Sequence, residues 1–412
     1  MNSEWIRTTI GSQATLQRGF DITKAAQREG PIPVISSAGI SSRHDTAMVK
    51  GPGVVLGRKG VVGSVHFVEG DYWPHDTTLW VKDFHGNNEL FTYYFFRAHA
   101  SVLSSLDVGS ANPTLNRNHV HPIEVSWPGI QEQEQIASFL GVLDDRITLL
   151  RETNATLEAI GQALFKSWFI DFDPVRAKME GRVPEGMDEA TAALFPDGLE
   201  ESDWGAVPTG WQVKTLSDAF EVNPKRSLKK ASNAPYLDMA SLATGGHCVE
   251  PPVQRDMGSG AKFCNGDTLL ARITPCLENG KSAFVDFLAD GQIGWGSTEF
   301  VVLRPKAPLP DYFGYLLCRH QPFREYAINS MSGTSGRQRI QNDVLGRYRL
   351  TLPDGAVASA FGGIIESIQQ SIAGNHRTAH TLASLRDTLL PRLISGQLRL
   401  PNVENQIEAI AA

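Results

Sequence analysis

The chain has 412 residues, 41% hydrophobic and 20% charged, proportions that suit a globular protein of two or three domains. No apolar run approaches the roughly eighteen residues needed to cross a bilayer, and the opening MNSEWIRTTI has no signal-peptide core. A cytoplasmic protein without membrane attachment is expected. The formal net charge of −7 excludes a uniformly basic polyelectrolyte binder, but the charge is uneven: residues 131–203 hold 16 acids against 6 bases, leaving 29 acids against 32 bases elsewhere. The flanking regions therefore remain compatible with an anionic partner.

In chain order, short β-rich runs come first. GVVLGRKGVVGSVHFV (53–68) reads as two strands around a glycine turn, with Arg58 and Lys59 at its tip. A short helix follows (ELFTYYFFRAH), then a polar loop, SANPTLNR (110–117), a strand and Pro128. A long helix then begins. The same order returns further on: GDTLLARI and SAFVDF as strands, DYFGYLLCRH as a short helix, the loop TSGRQRIQ (334–341), a strand, Pro353 and a second long helix. Gly109, Asn118 and Val120 align with Gly333, Asn342 and Val344 at an offset of 224, and one inserted residue then aligns Pro128 with Pro353. Tyr94 matches Tyr315, and His99 matches His320, at 221. One unit has been copied, with small loop insertions.

The long helices carry the clearest period. Ile136, Leu140, Leu143, Ile147, Leu150, Asn154, Leu157, Gly161, Leu164 and Trp168 alternate steps of four and three. So do Phe361, Ile365, Ile368, Ile372, Asn375, Ala379, Leu382, Arg386, Leu389 and Leu393. Such a seam either lies on its own domain or pairs with the other, and its narrowness favours a coiled coil. An antiparallel pairing with aligned ends makes facing numbers sum to 529. Ile136 then meets Leu393, Trp168 meets Phe361, and Asn154 meets Asn375, so that two polar seam residues share a layer. Arg386 falls opposite Leu143, and its guanidinium is expected to reach the rim. Gly362 and Gly363 are expected to weaken the start of the second helix.

The expected class is α+β. Two duplicated β-rich domains, 1–130 and 209–353, are joined by long helices at 131–170 and 354–396. An acidic, proline-containing linker spans 171–208 and a tail 397–412.

Motifs for catalysis are scarce. PCLENGKS (275–282) ends like a phosphate-binding loop, but Pro275 replaces its first glycine and a strand pattern follows it. The glycines of GRKGVVG have the wrong spacing for a dinucleotide site. His75–Asp76 reads as a turn, because no acid–base pair recurs in the other copy. Asp171 and Asp173, before Pro174, mark the end of a helix rather than a metal site. Cys248, Cys264, Cys276 and Cys318 form no C-x-x-C pair and read as reduced, mostly buried thiols, and no metal site is expected. The polar loops, by contrast, recur in matched places. Ser110, Asn112, Asn116 and Arg117 in one copy, and Ser335, Arg337, Gln338 and Arg339 in the other, are side chains that bond base edges and phosphates. Arg58 and Lys59, with Arg272 and Lys281, stand at a second matched position.

LFKSWFIDFDPVRAKMEGR, at the end of the first long helix, resembles the central region of type I restriction–modification specificity subunits. EQEQIASFLGVLDDRI, LRDTLLPRLISGQLRL and GDTLLARITPCLENGKSAFV resemble that family as well. The resemblance implies two target-recognition domains, each reading one half of a bipartite double-stranded DNA site, with an antiparallel coiled coil as the spacer. It implies two docked modification subunits that use S-adenosylmethionine to methylate adenine, and restriction subunits that use ATP and Mg. The chain itself would be non-catalytic and bind no cofactor. A helix over 136–168 is about 50 Å long at ~1.5 Å per residue, or roughly one and a half turns of duplex at ~3.4 Å per base pair. The alternatives are a self-contained DNA-modifying enzyme, which would need catalytic motifs not found here, and a coiled-coil adaptor that does not bind DNA, which would leave the paired polar loops unexplained.

Overall fold

The computed structural model describes residues 5–106, 114–334 and 336–400. It divides into two compact units. The first is built from the chain up to Thr148 and from His380 onward, the second from Leu149–Ala379. Each unit is one sequence copy packed with part of both long helices.

In the first unit a four-stranded antiparallel sheet runs in the order Thr15–Arg18, Thr78–Asp83, Gly53–Gly57, Val65–Val68. In the second unit the same order recurs as Phe220–Val222, Phe300–Pro305, Thr268–Ala271, Ser282–Phe284. The central strands GVVLG and TLLA are buried at every position, because each sheet is covered on both faces; their sequences are accordingly continuous apolar runs rather than alternating ones. Each copy adds a second sheet, three strands in the first (Gly39–His44, Ile32–Ser36 and Trp73–Pro74) and four around Asn233–Leu237 in the second. Each also closes on a two-stranded ladder, Ile6–Thr9 with Glu124–Trp127 and Gln212–Thr215 with Arg349–Leu352.

These ladders refine the repeat. Ile6 faces Trp127 and Gln212 faces Leu352. Ile10 N donates to Ile123 O where Leu216 N donates to Tyr348 O. The offset is therefore already 225 in this region, so Val120 corresponds to Leu345 rather than Val344. Val120 and Leu345 are both fully buried. The inserted residue lies earlier than the sequence alignment put it, because burial, not residue identity, sets the register.

The first long helix runs Ile130–Lys166 and the second Gly355–Ile394. None of the twenty seam residues is exposed. In the first unit Ile136, Leu140, Leu389 and Leu393 share one core. In the second, Trp168 lies against Phe361 with ring centroids 5.5 Å apart. Asn375 Nδ2 donates to Asn154 Oδ1 at 2.9 Å, and Asn154 Nδ2 donates to Ile372 O at 3.0 Å. The antiparallel register with facing numbers summing to 529 thus holds in each unit. Arg386 departs from expectation. Its side chain is only 11% exposed and its guanidinium is ion-paired with Asp144 and Asp387, because an inward acid satisfies it more closely than the rim. The second helix is continuous through Gly362 and Gly363. Asp354 Oδ1 caps it by accepting from Ala356 N and Val357 N, both at 2.9 Å, and Gly362 admits Pro310, whose Cβ would lie 3.3 Å from an added Cβ.

Each short helix hangs on an acid of the first long helix. Tyr94 donates to Asp144 at 2.7 Å, and Tyr315, its counterpart, donates to Glu158. Burial, followed by these carboxylates, raises both phenols above their ordinary value, so both remain donors.

The stretch 171–208 is folded rather than extended. The first long helix passes through a wide turn at Ser167–Asp171 and stops at Phe172, in the left-handed region at φ 57°. Pro174 then opens a new helix, Asp173–Met179, where its missing N–H costs nothing. A helix at Glu189–Ala193 and a hairpin, Leu199–Ser202 with Gly205–Pro208, follow. Phe172, Val175 and Phe195 enter the core of the second unit. Asp171 is paired with Lys166. The four cysteines are free thiols; Cys318 is buried, and the other three are half-buried. Burial pushes Cys248 up to about 12, so it is an unreactive thiol.

Candidate nucleic-acid interface

Among the described residues, the matched polar residues other than Lys281 gather at one place in each copy: the edge where the strand Gly53–Gly57, or Thr268–Ala271, ends. In the first copy Arg58 N donates to Thr77 O at 2.8 Å, and Leu115 N donates to Arg58 O at 2.9 Å. Lys59 bridges Thr114 as a short antiparallel pair. In the second copy Arg272 N donates to Glu299 O at 3.0 Å, Ile340 N donates to Arg272 O at 3.0 Å, and Ile273 bridges Arg339. Arg58 and Arg272 are thus structural counterparts, as are Thr77 and Glu299, and Thr114 and Arg339. The polar loop after the short helix is stitched to the strand end in both copies.

In the first copy this edge opens into a cleft of about 600 Å³ lined by Gln17, Arg18, Arg58, Asn116 and Arg117. Asn116 Oδ1 accepts from Asn118 N at 3.0 Å and caps the helix Arg117–Val120. Arg117 is exposed, as is Lys59. Arg18, absent from the sequence reading, bridges Asp21 at 2.8 Å and Asp76 at 3.1 Å. His75 and Asp76 make the turn below: Thr78 N donates to His75 O at 2.9 Å, and Asp76 contacts His75 Nδ1 at 2.9 Å. Burial, then the nearby Arg117 charge, lowers His121. Its neutral Nε2 accepts from Leu16 N at 2.9 Å.

In the second copy a cleft of about 600 Å³ is lined by Asn223, Lys225, Arg226, Lys262 and Arg272. Arg226 is held by the fully buried Asp267, with Nε 3.1 Å from Oδ2. Burial pushes the Asp267 carboxyl up, while the Cys264 N–H and Arg226 draw it down; this pair anchors the loop. Arg272 Nη2 donates to Gln341 Oε1 at 3.2 Å, and its buried Nε has no partner among the described residues. Arg337 is exposed, and Gln338 is tied by backbone to Thr274. Arg339 forks onto Glu299, with Nε 3.0 and 2.9 Å and Nη2 2.7 Å from its oxygens.

Lys281 does not join the cleft. Its Nζ donates to Met239 O at 2.8 Å, and Ser282–Phe284 continues as a strand, so no phosphate-cradling helix follows. Ser110, Asn112 and Ser335 lie outside the described residues. Sequence reading missed Arg18, Lys225 and Lys262, since each comes from a strand or loop far away along the chain. The available signal was Arg18 at the end of a strand whose counterpart in the other copy is followed by Lys225 and Arg226.

Among the described residues no cluster of His, Cys, Asp and Glu is arranged to hold a metal, and no helix is long and apolar enough to cross a membrane.

Fold and site together define a duplicated protein with two matched cationic clefts at strand ends. Residues 2–159 match the family described as "Type I restriction modification DNA specificity domain". The chain is 25% identical over 329 residues to the type I restriction enzyme MjaIX specificity subunit of Methanocaldococcus jannaschii, covering 75% of this chain and 69% of that protein. It is 25% identical over 337 residues to the HindI specificity subunit of Haemophilus influenzae, covering 69% and 71%. The crystal structure of a type I restriction–modification S subunit from M. genitalium shares the fold, with a TM-score of 0.58 over 95% of this chain and 96% of that one, at 16% identity. The first copy thus matches the type I restriction–modification DNA specificity domain, and about seven tenths of the chain is similar to type I restriction enzyme specificity subunits.

Proposed function

We propose that each copy reads one half of a bipartite, asymmetric double-stranded DNA site through its strand-end cleft, and that the chain itself catalyses nothing. The observation that carries this reading is the recurrence of one backbone arrangement, Arg58 with Leu115 and Arg272 with Ile340, surrounded by different side chains. Equal frames present cations to phosphate, and unequal side chains read unequal bases. The paired helices set the spacer; the first, of 37 residues, is about 55 Å long at ~1.5 Å per residue. Two modification subunits dock on the helices and bring S-adenosylmethionine. Restriction subunits bring ATP and Mg. The complex works in the cytoplasm.

The test is methyl transfer to DNA by the chain co-purified with its modification subunit, then with each omitted. Transfer by the chain alone rejects the reading. Arg337→Ala with Arg339→Ala weakens binding at one half-site; equal loss at both halves counts against the assignment of that loop.

A further inference from the structure

At the Arg339–Glu299 fork the matched edges differ in kind. The counterpart residues in the first copy are Thr114 and Thr77, set by the same backbone bonds. An arginine guanidinium has two edges that each present a pair of parallel N–H groups. Glu299 occupies the one formed by Nε and Nη2. That leaves the edge formed by Nη1 and Nη2, two parallel N–H groups, which is the edge that fits the O6 and N7 acceptors of guanine in the major groove. The Arg339 side chain is 41% exposed and that of Glu299 23%, so the pair lies at the surface while its carboxylate half is sheltered. Arg339 holds the Glu299 carboxyl below its ordinary value, which keeps the acceptor ionised and the fork closed near neutral pH. A side chain fixed on one edge has lost its rotamer freedom before it meets a ligand, which favours directional base contact over the looser geometry that suffices for phosphate.

Resting on the reading of the clefts as DNA interfaces, we propose that Arg339, oriented by Glu299, is a specificity-determining residue that reads a guanine in the half-site of the second copy. Glu299 acts as its positioning residue. The first copy has threonines at these two positions and so no such pair there.

The experiment is selection of duplexes from a random pool by the full-length chain, followed by titration of the selected site and of its single-base variants. The wild-type chain selects a bipartite sequence in which one position of one half is a strongly preferred guanine. Arg339→Ala loses about ten- to a hundredfold in affinity for that sequence, and the preference at that single position disappears. Glu299→Gln, which retains the arginine and the side-chain volume, weakens the preference without abolishing binding. The double variant Glu299→Thr with Arg339→Thr imports the residues of the first copy, leaves no unpaired acid, and shows the same loss at that position only. Selection of no sequence by the wild-type chain overturns the DNA-reading assignment itself. Selection of a bipartite site whose base preferences are unchanged by Arg339→Ala overturns only this proposal. So does a uniform loss across all sequences, which marks a phosphate contact.

Discussion

Replacing Asp144 by alanine tests how the first unit is held to its helices. The carboxylate accepts from Tyr94 at 2.7 Å and from Arg97 at 3.2 Å, and it pairs with Arg386 across the seam. Removing one partner of a buried ion pair costs about 3–5 kcal/mol, because the other charge is left desolvated. Asp144 is 27% exposed, and Arg386 keeps Asp387 at 2.7 Å, so the cost falls to about 2–3 kcal/mol. At ~2–4 °C per kcal/mol for a unit of this size, the first unit melts about 4–12 °C lower. Arg386→Met alone leaves Asp144 with Tyr94 and Arg97, and costs about 1–2 kcal/mol. In the double variant the methionine fills the seam and no orphaned guanidinium remains, so the combined loss is less than the sum of the single losses by about 1–2 kcal/mol. Urea unfolding of the full-length chain, followed through the first transition, measures all three. Strict additivity would refute the claim that the pair acts across the seam.

Three further outcomes are expected. Phe361→Ala removes a fully buried ring that contacts Trp168 and Phe169 and lowers the stability of the second unit by about 3–5 kcal/mol; a loss under 1 kcal/mol in denaturant titration contradicts the packing described. Asn154→Leu strands the Asn375 amide and costs about 1–3 kcal/mol, whereas leucine at both positions is close to neutral; a double variant as unstable as the single one, by thermal unfolding, removes the shared polar layer from the account. Because Arg339 depresses the Glu299 carboxyl below its ordinary 4.5, the stability this pair contributes is present above that value and is lost as pH falls through the lower folded one. The gap in unfolding midpoint between the wild type and Glu299→Gln is therefore full at pH 7 and shrinks below about 4.5; a gap constant from pH 7 to pH 3 shows that the pair contributes no ionic stabilisation.

The heptad seams, the facing of Asn154 and Asn375, and the duplication were legible because each depends on spacing along the chain, which helix and strand geometry turn directly into position. The strand-end turn at Arg58 was legible for the same reason, as its glycines mark the reversal locally. Residues 171–208 were less so. Prolines and acids there suggested a linker, yet Pro174 starts a helix and Phe172 is buried, outcomes that depend on an apolar core elsewhere to receive them. The sequence offset of 224 likewise gave way to 225 around Val120, since matching side-chain identities cannot show which residue faces inward.

By itself, then, the sequence determined the repeated architecture and the antiparallel register of the helices, because both follow from spacings along the chain, the first from a copied order of segments and the second from two matching heptad seams. Only the tertiary structure decided which cations are engaged and which are presented. Arg226 is held by a buried Asp267, Lys281 by the Met239 carbonyl, and Arg339 is forked by Glu299. Each of those partners stands about forty residues away, and a charge's availability to a ligand depends on what the fold places within hydrogen-bonding distance of it, not on its neighbours in the chain.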